Sequence, residues 1–276
     1  WLFIGPTTLA GIGQVTRRYS RLVPDGEYVE FGQRPQHEKY DTGFAFVLPL
    51  ADQLAIVDQY AKLCKKMIYM TICETETVNP AYGMLVGRYS PLYVASEFCK
   101  KVFKQQFPQG DWRILHLFAE APPSPRFNLV TEPYIFYTIG NVADPRKNIG
   151  ALIRAVENFP GARLLLKATC NRPVEFTHPQ VTIINGLLSD EQMENVHAKG
   201  HCYVNCSHSE GVGMGAVEAA LRNKPVIITD YGGLKEYVQT PFVVECTLGP
   251  IGFDDFLFTR DLVWGHPSYE DLVRHM

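Results

Sequence analysis

The chain has 276 residues, of which 46% are hydrophobic and 20% charged, and its formal net charge is −3. This length suits one large or two medium domains, and the near-neutral charge excludes a basic field over the whole chain. No apolar run approaches the ~20 residues of a membrane span, and the short apolar N-terminus has no basic lead, so we expect neither a membrane span nor a signal peptide.

The first half predicts strands and helices in alternation. Strands are expected over 1–5, 28–32, 44–50, 67–73, 91–96 and 112–118, with helices over 11–23, 53–66 and 97–107. Ser96 is a candidate N-cap for the third of these helices. A proline-rich stretch over 121–134 follows and is the best candidate for a linker.

Alternation restarts after the linker. Strands are expected over 134–140, 162–169, 181–187, 202–207, 225–230 and 242–248, with helices over 148–159, 189–200, 213–223, 234–239 and 268–276. Ser189 and Gln192 form a capping-box pattern. Such alternation predicts an α/β fold with two Rossmann-like domains, 1–128 and 129–251, and a tail over 252–276 that could return to the first domain. Ligands of these folds bind beyond the carboxyl ends of the strands, here in a cleft between facing domains.

Seven cysteines form an odd, scattered set, which indicates reduced thiols and a cytoplasmic location. Cys202 and Cys206 lie between His201 and His208, so a metal site is conceivable there. A buried strand in which the thiols pack as small apolar groups is the favoured interpretation.

The stretch HSEGVGMGAVEAA carries two acids, Glu210 and Glu218, eight positions apart around a glycine-rich helix start. Free N–H groups at a helix start attract anions, and glycines allow the backbone to approach a diphosphate. A carboxylate accepts two sugar hydroxyls, so the pair would suit the two ends of a nucleotide-sugar. From the spacing alone, a surface helix with two solvated acids fits equally well.

The full pattern SxxEGxGxxxxEAA, followed by PVIxTDxGGxxEYV, resembles the C-terminal domain of GT-B glycosyltransferases, specifically the large retaining family four. The resemblance implies two Rossmann-like domains, no catalytic metal and no cofactor beyond a nucleotide-diphosphate sugar, with UDP- or GDP-sugars expected. It implies that Glu210 lies by the transferred sugar and Glu218 holds the ribose. The donor-binding set would include Gly211, Val212, Gly213 and Met214.

A second segment, IGNVADPRKNIGALIRAV, resembles the opening loop of the same domain. Lys147 matches the family lysine on the diphosphate and is a predicted catalytic residue. The family arginine position corresponds to Asn141, a departure for which Arg146 could compensate. A solvated loop pair is the alternative for Arg146 and Lys147.

The first half resembles the family more loosely. Gly11 and Gly13 correspond to its glycine loop after strand one. YMTICETETVNP lacks the usual histidine and resembles a subgroup with a Glu-Thr motif, which implies that Glu74 takes the place of that histidine near the acceptor. The alternative for Glu74 is an acid at a helix start, stabilised by the helix dipole.

The sequence is compatible with several acceptors and with more than one function. The acceptor could be a glycan, a lipid-linked or other hydroxyl compound, or a nucleic acid, since basic runs lie on two predicted helices; solvated faces explain these runs as well. No Asp-x-Asp motif is present. A degenerate domain that binds without turnover and a nucleotide-sugar epimerase are the alternatives. The chain is short for the family, so we expect either a compact variant, of viral or phage origin, or a trimmed C-terminus. The sequence gives no oligomeric state.

Overall fold

The structure is a computed structural model that describes residues 1–7, 11–122, 132–170, 172–255 and 257–276. Most of the predicted linker and part of the predicted glycine loop lie outside the described residues. The chain forms two compact units: Trp1–Leu117 with Phe253–Leu262, and Phe118–Gly252 with Val263–Met276. The sequence placed its boundaries at 128/129 and 251/252.

The first unit contains a six-stranded parallel sheet with the order β2-β1-β3-β4-β5-β6. Its strands are β1 (Leu2–Gly5), β2 (Glu27–Glu30), β3 (Tyr40–Phe46), β4 (Cys64–Thr71), β5 (Leu92–Val94) and β6 (Trp112–Ile114). Its helices are α1 (Gly11–Arg21), α2 (Ala51–Ala61), α3 (Gly83–Val86) and α4 (Glu97–Gln106). Ser96 caps α4 by accepting a hydrogen bond from the Cys99 N–H at 3.1 Å, as predicted.

The sequence misplaced the junction between α2 and β4. It predicted a helix to residue 66, whereas α2 ends at Ala61 and β4 begins at Cys64. Pairing with β3 shows that residues 64–66 form a strand, because Thr42 lies opposite Lys66 and Tyr40 lies opposite Cys64. Lysines 65 and 66 therefore belong to the sheet, and a helical periodicity that runs into a strand cannot show where the strand takes over.

The second unit also contains a six-stranded parallel sheet, with the order β12-β11-β10-β7-β8-β9. Its strands are β7 (Tyr134–Gly140), β8 (Ala162–Ala168), β9 (Val181–Ile184), β10 (Cys202–Asn205), β11 (Val226–Thr229) and β12 (Val243–Val244). Its helices are α5 (Ile149–Val156), α6 (Asp190–Lys199), α7 (Met214–Ala220), α8 (Leu234–Tyr237) and α9 (Tyr269–His275). The predicted capping box of Ser189 and Gln192 is present at the start of α6.

Alternation along the central strands gives this sheet two apolar faces. Phe136 and Val204 pack with α5 and α9 on one face. Tyr137 and Tyr203, their neighbours in sequence, pack with α6, α7 and α8 on the other. Successive side chains of a strand point to opposite faces, so a sheet covered on both sides needs apolar residues at consecutive positions. The predicted α/β class with parallel sheets is confirmed.

The end of the chain differs from the prediction. The expected strand over 242–248 is split between β12 and a further strand, β13 (Cys246–Pro250), which pairs antiparallel with β14 (Val263–Pro267). The predicted final helix is confirmed as α9, with Ser268 capping it through the Asp271 N–H. Among the described residues, no helix is long and apolar enough to cross a membrane.

Candidate functional site

Glu210 lies just after β10, in a buried cluster of polar side chains. Glu210 is only 5% exposed to solvent. Lys147 Nζ donates to Oε1 at 2.5 Å, and Arg146 Nη1 donates to Oε2 at 3.2 Å. The fold thus brings Glu210 together with two other predicted site residues, Lys147 and Arg146, which lie 63 and 64 positions earlier in the sequence.

The two cations set the ionisation of this carboxyl group. Burial alone raises the pKa of Glu210, but the charges of Lys147 and Arg146, with hydrogen bonds from Lys147 and Ser207, outweigh burial and lower the pKa to about 2. A nearby opposite charge favours the ionised form, most strongly where water is excluded. Glu210 is therefore a carboxylate at any physiological pH, able to accept hydrogen bonds but not to donate a proton.

Backbone contacts hold the cluster in place. The His208 N–H donates to the Arg146 carbonyl at 2.8 Å, and the Gly233 N–H donates to the Glu210 carbonyl at 2.8 Å. Gly232 has a φ of +86°, and a Cβ on it would lie 2.5 Å from the Glu210 carbonyl oxygen. The Gly-Gly turn after β11 is thus shaped by close approach to the Glu210 backbone.

Three further polar residues belong to the cluster, and the sequence reading did not single them out. Ser207 Oγ donates to Glu210 Oε1 at 2.8 Å, and Asn205 Nδ2 lies 3.4 Å from the same oxygen. Asp144 accepts from Arg146 Nη2 at 3.2 Å. Position could have suggested them: Asn205 ends β10, Ser207 is the first residue of the motif that contains Glu210, and Asp144 precedes the Pro-Arg-Lys turn. Nothing in the sequence alone shows that Ser207 and Asn205 contact the Glu210 carboxylate or that Asp144 pairs with Arg146.

The predicted donor-binding backbone follows directly after Glu210. Gly211, Val212 and Gly213 are buried, and α7 begins at Met214. Gly213 has a φ of +73° and serves as the N-cap, and a Cβ there would lie 2.7 Å from Leu234 Cδ1. The helix therefore covers only the second half of the interval between the two glutamates, so a spacing computed for a fully helical segment does not apply.

Asn141 follows β7, and its backbone carbonyl accepts a hydrogen bond from the Asp144 N–H at 3.0 Å. Its Oδ1 accepts from the Cys170 thiol at 2.9 Å and lies 3.3 Å from the Ala143 N–H. The lysine stem passes close by: a Cβ on Gly140 would lie 3.4 Å from Lys147 Cε. Lys147 thus crosses the carboxyl end of β7 on its way to Glu210.

Glu218 lies on α7 in different surroundings. Its carboxylate oxygen Oε2 is 3.9 Å from His197 Nε2, and its side chain is 14% exposed. His197 is buried and its Nδ1 lies 3.0 Å from the Tyr137 hydroxyl. Glu218 therefore has a histidine neighbour on α6 rather than a share in the Glu210 cluster.

The remaining predicted residues belong to the first unit. A Cβ on Gly13 would lie 2.3 Å from the Thr7 carbonyl oxygen, so packing of α1 against its own chain requires this glycine; Gly11 has open space. Glu74 is half-buried beyond the carboxyl end of β4. The alternative of a helix-start acid is wrong, because the next helical turn begins only at Pro80.

The thiols of the Cys-His stretch pack in the apolar core of the second unit. Cys202 and Cys206 are buried free thiols, and burial raises the pKa of each to about 12. His201 Nδ1 accepts from the Ile135 N–H at 2.9 Å. Over the described ranges, no group of three or more His, Cys, Asp or Glu side chains is placed to hold a metal ion.

Comparison with protein families identifies one segment of the second unit. Residues 176–243 match the family described as Glycosyl transferases group 1. The match covers about a quarter of the chain and includes Glu210 and Glu218, but not Arg146 or Lys147. The comparison with curated proteins found no match.

Solved structures share the fold over most of the chain. Sucrose-phosphate synthase from Thermosynechococcus elongatus is 16% identical with a TM-score of 0.56, covering 75% of this chain and 61% of its own. TarM is 13% identical with a TM-score of 0.55, covering 74% and 44%. S. aureus TarM in complex with Fondaparinux, alpha-GlcNAc-glycerol and UDP is 13% identical with a TM-score of 0.56, covering 84% and 47%.

At these identities the likeness shows the fold, which is of the GT-B type with one parallel sheet in each unit. The chain spans 44% to 61% of the length of these structures.

Proposed function

We propose that this protein transfers a hexose from a nucleotide-diphosphate sugar to an acceptor hydroxyl, with retention and without a metal ion. One observation carries the proposal. Glu210 is a buried carboxylate held by Lys147 and Arg146, at the carboxyl end of a parallel strand and directly before a glycine-rich helix start. That segment lies inside the region that matches the glycosyltransferase family.

The chemistry of the cluster fits the two parts of such a donor. Lys147 and Arg146 are cations that would stabilise the charge developing on a departing diphosphate. The backbone of Gly211 to Met214 would approach the same phosphates. Glu210, ionised at neutral pH, would accept hydrogen bonds from hydroxyls of the transferred sugar. Glu218, outside the cluster, would hold the ribose diol.

The transfer itself needs no metal if these cations serve the leaving group. The bond between the anomeric carbon and the diphosphate oxygen breaks, and the acceptor oxygen bonds to the same face of that carbon. The acceptor proton passes to the departing phosphate oxygen, so the products are the glycoside and the nucleoside diphosphate. Glu74 would orient the acceptor hydroxyl by accepting its hydrogen bond.

The test is a binding and hydrolysis panel with UDP-, GDP-, ADP- and dTDP-sugars in the presence of a chelator. UDP-sugars come first, because the TarM neighbour holds UDP and alpha-GlcNAc-glycerol. We expect one nucleotide to raise the melting temperature of the wild type, with slow release of sugar. Glu218→Ala should lose the shift, whereas Glu191→Ala, an exposed acid in the first turn of α6, should keep it.

A degenerate domain that binds without turnover is the second candidate. Asn141 stands where the family has an arginine, and the loss of that cation favours a domain that binds without turnover. Stabilisation by a nucleotide-sugar with no hydrolysis and no transfer would select this candidate. No stabilisation by any of the four donors would overturn both.

A further inference from the structure

Lys167 is a buried cation near the carboxyl end of β8, where it is 2% exposed. Its Nζ donates to the carbonyls of Ala168 at 2.6 Å and Gly186 at 2.7 Å. Its neighbours in the sheet are apolar, Ile139 on β7 and Ile184 on β9. Among the described residues no carboxylate pairs with it, and burial lowers its pKa. A buried cation without a counter-charge is costly, which points to a role in binding a ligand or in holding the loop at Gly186.

The ammonium group of Lys167 has an N–H that could serve a ligand. An ammonium carries three N–H groups and no acceptor, and the two carbonyls use two of them. Within the part of the chain that the structure describes, no side chain or carbonyl accepts from the third. A ligand group that meets this N–H must therefore be a hydrogen-bond acceptor, since an amine in the same place would set donor against donor.

Strand order places Lys167 close to the Glu210 cluster along one edge of the sheet. The strands run β10-β7-β8-β9, and at their carboxyl ends lie, in that order, Glu210, the stem of Lys147, Lys167 and Gly186. Neighbouring strands are ~4.8 Å apart, so β8 lies about 10 Å from β10. On the other side of β10, the turn after β11 packs against the Glu210 backbone. A nucleotide-sugar held at Glu210 and Lys147 would therefore extend towards β8 and β9.

Lys167 also shares a face of the sheet with Glu218. Side chains two positions apart on a strand point to the same face. Leu165, two positions before Lys167, packs in the same core as Ala216 of α7, the helix that carries Glu218. A ribose held by Glu218 and a base held by Lys167 would thus lie on one side of the sheet.

The loop after β9 is fixed next to Lys167. Asn185 Oδ1 accepts from the Val174 N–H at 2.8 Å, and its Nδ2 donates to the Val174 carbonyl at 3.1 Å. Gly186, whose carbonyl accepts from Lys167, has a φ of +83°, and a Cβ on it would meet nothing within 4 Å. Leu187 is 65% exposed. The loop therefore offers open space and an apolar side chain beside a buried cation, which suits a flat ring with a polar edge.

We propose that Lys167 selects the base of the nucleotide-sugar by donating its third N–H to a ring carbonyl oxygen. This inference rests on the proposed function. Uracil has the O4 carbonyl and guanine the O6 carbonyl, whereas cytosine and adenine have an amine at the same ring position. The carbonyl accepts from the ammonium, and the amine does not. UDP- and GDP-sugars therefore bind more tightly than CDP- and ADP-sugars.

The experiment measures dissociation constants by titration calorimetry on the whole chain, for UDP-glucose against CDP-glucose and for GDP-glucose against ADP-glucose. The members of each pair carry the same sugar, so the ratio of their constants reports on the base. We expect the wild type to prefer the carbonyl base in at least one pair by roughly tenfold, the size expected of one hydrogen bond to a charged group.

Lys167→Met keeps the length of the side chain and removes its N–H groups. It should bring the ratio within the preferred pair close to one, mainly by weakening the binding of the carbonyl base. Lys224→Met is the matched control, because burial lowers the pKa of Lys224 too, but this residue precedes β11 at the amino end of the sheet. The control should keep the ratio of the wild type.

A role in holding the Gly186 loop alone predicts a different result. Lys167→Met would then weaken both members of a pair equally and leave their ratio unchanged, which would overturn the proposal. Equal affinities within both pairs in the wild type, or tighter binding of CDP- and ADP-glucose, would overturn it without any variant and would leave the proposed function standing. A wild type that binds none of the four donors would overturn the proposed function together with this inference.

Discussion

The ion pairs of Glu210 predict a pH-dependent contribution to stability that one substitution can isolate. Its pKa is about 2 in the folded protein and ordinarily 4.5. Because the folded pKa is the lower one, the contribution is present above pH 4.5 and is lost as the pH falls towards 2. A difference of this size corresponds to roughly 3 kcal/mol at pH 7 and about 1 kcal/mol at pH 3.

Glu210→Gln keeps the shape of the side chain and removes its charge. At pH 7 it should lower the free energy of unfolding of the second unit by roughly 3 kcal/mol or more, because Lys147 and Arg146 are left buried without a shared anion. The difference in free energy of unfolding between wild type and variant should be about 2 kcal/mol smaller at pH 3 than at pH 7. Other carboxyl groups titrate in both proteins and cancel.

The assay is urea denaturation at both pH values, followed by pulsed hydrogen exchange of peptides that cover β10, so that the second unit is observed by itself. Glu191→Gln, at an exposed position on α6, is the matched control and should change the free energy of unfolding far less than Glu210→Gln does at pH 7. A difference for Glu210→Gln that stays the same at pH 7 and pH 3 would refute the ion-pair argument, whatever its size.

Two further predictions concern backbone space and buried charge. Gly232→Ala should destabilise the protein by several kcal/mol, because its Cβ would lie 2.5 Å from the Glu210 carbonyl oxygen. Gly252 has a similar φ of +83° but open space around it, so Gly252→Ala should destabilise the protein by only about 1 kcal/mol. Urea denaturation of the two variants measures both effects. Lys167 is 2% exposed and donates to the carbonyls of Ala168 and Gly186, and burial lowers its pKa. Wild type should therefore gain stability relative to Lys167→Met as the pH rises from 7 towards 10.5, and a difference that falls or stays flat would contradict this.

The sequence predicted what depends on local pattern. Alternating segments gave both parallel sheets, and Ser96 and Ser189 were recognised as N-caps because capping involves residues only three positions apart. The end of α2 was missed, since register with β3 rather than local propensity puts Lys66 in the sheet. The pairing of β13 with β14 was missed for a similar reason: 12 residues separate the two strands, and no short turn signals the ribbon.

In the candidate site too, the sequence predicted the features marked by local motifs and missed those that depend on how the strands are arranged. The two segments that carry Glu210 and Lys147 were each marked by a motif, but their meeting at one carboxylate depends on the adjacency of β7 and β10 in the sheet. The segment with the Glu-Thr motif around Glu74 supplies five of the ten described residues that line a cavity beside it. The whole lining is drawn from positions 12 to 258, and only the return of Leu257 and Phe258 to the first unit completes it.

The charges of the Glu210 cluster bear on how a donor would bind. Lys147 and Arg146 are matched by Glu210 and Asp144, so the four side chains are together neutral. The cavity beside them is only about 10 Å³, roughly one water molecule, so a diphosphate would have to draw Lys147 outward. The free energy lost with the Lys147–Glu210 ion pair would offset part of the free energy gained by binding the diphosphate. Asn141 is uncharged, so it supplies no second cation for the phosphates.

The pKa and the hydrogen bonding of Glu210 would change when a diphosphate draws Lys147 away. Without Lys147, the charge that lowers its pKa falls, and burial acts in the opposite direction. The released carboxylate would be short of donors, and sugar hydroxyls could supply them. Phosphate binding to Lys147 and hydroxyl binding to Glu210 are therefore coupled under the proposed function: a nucleoside diphosphate alone leaves Glu210 poorly satisfied, and the intact nucleotide-sugar satisfies both groups.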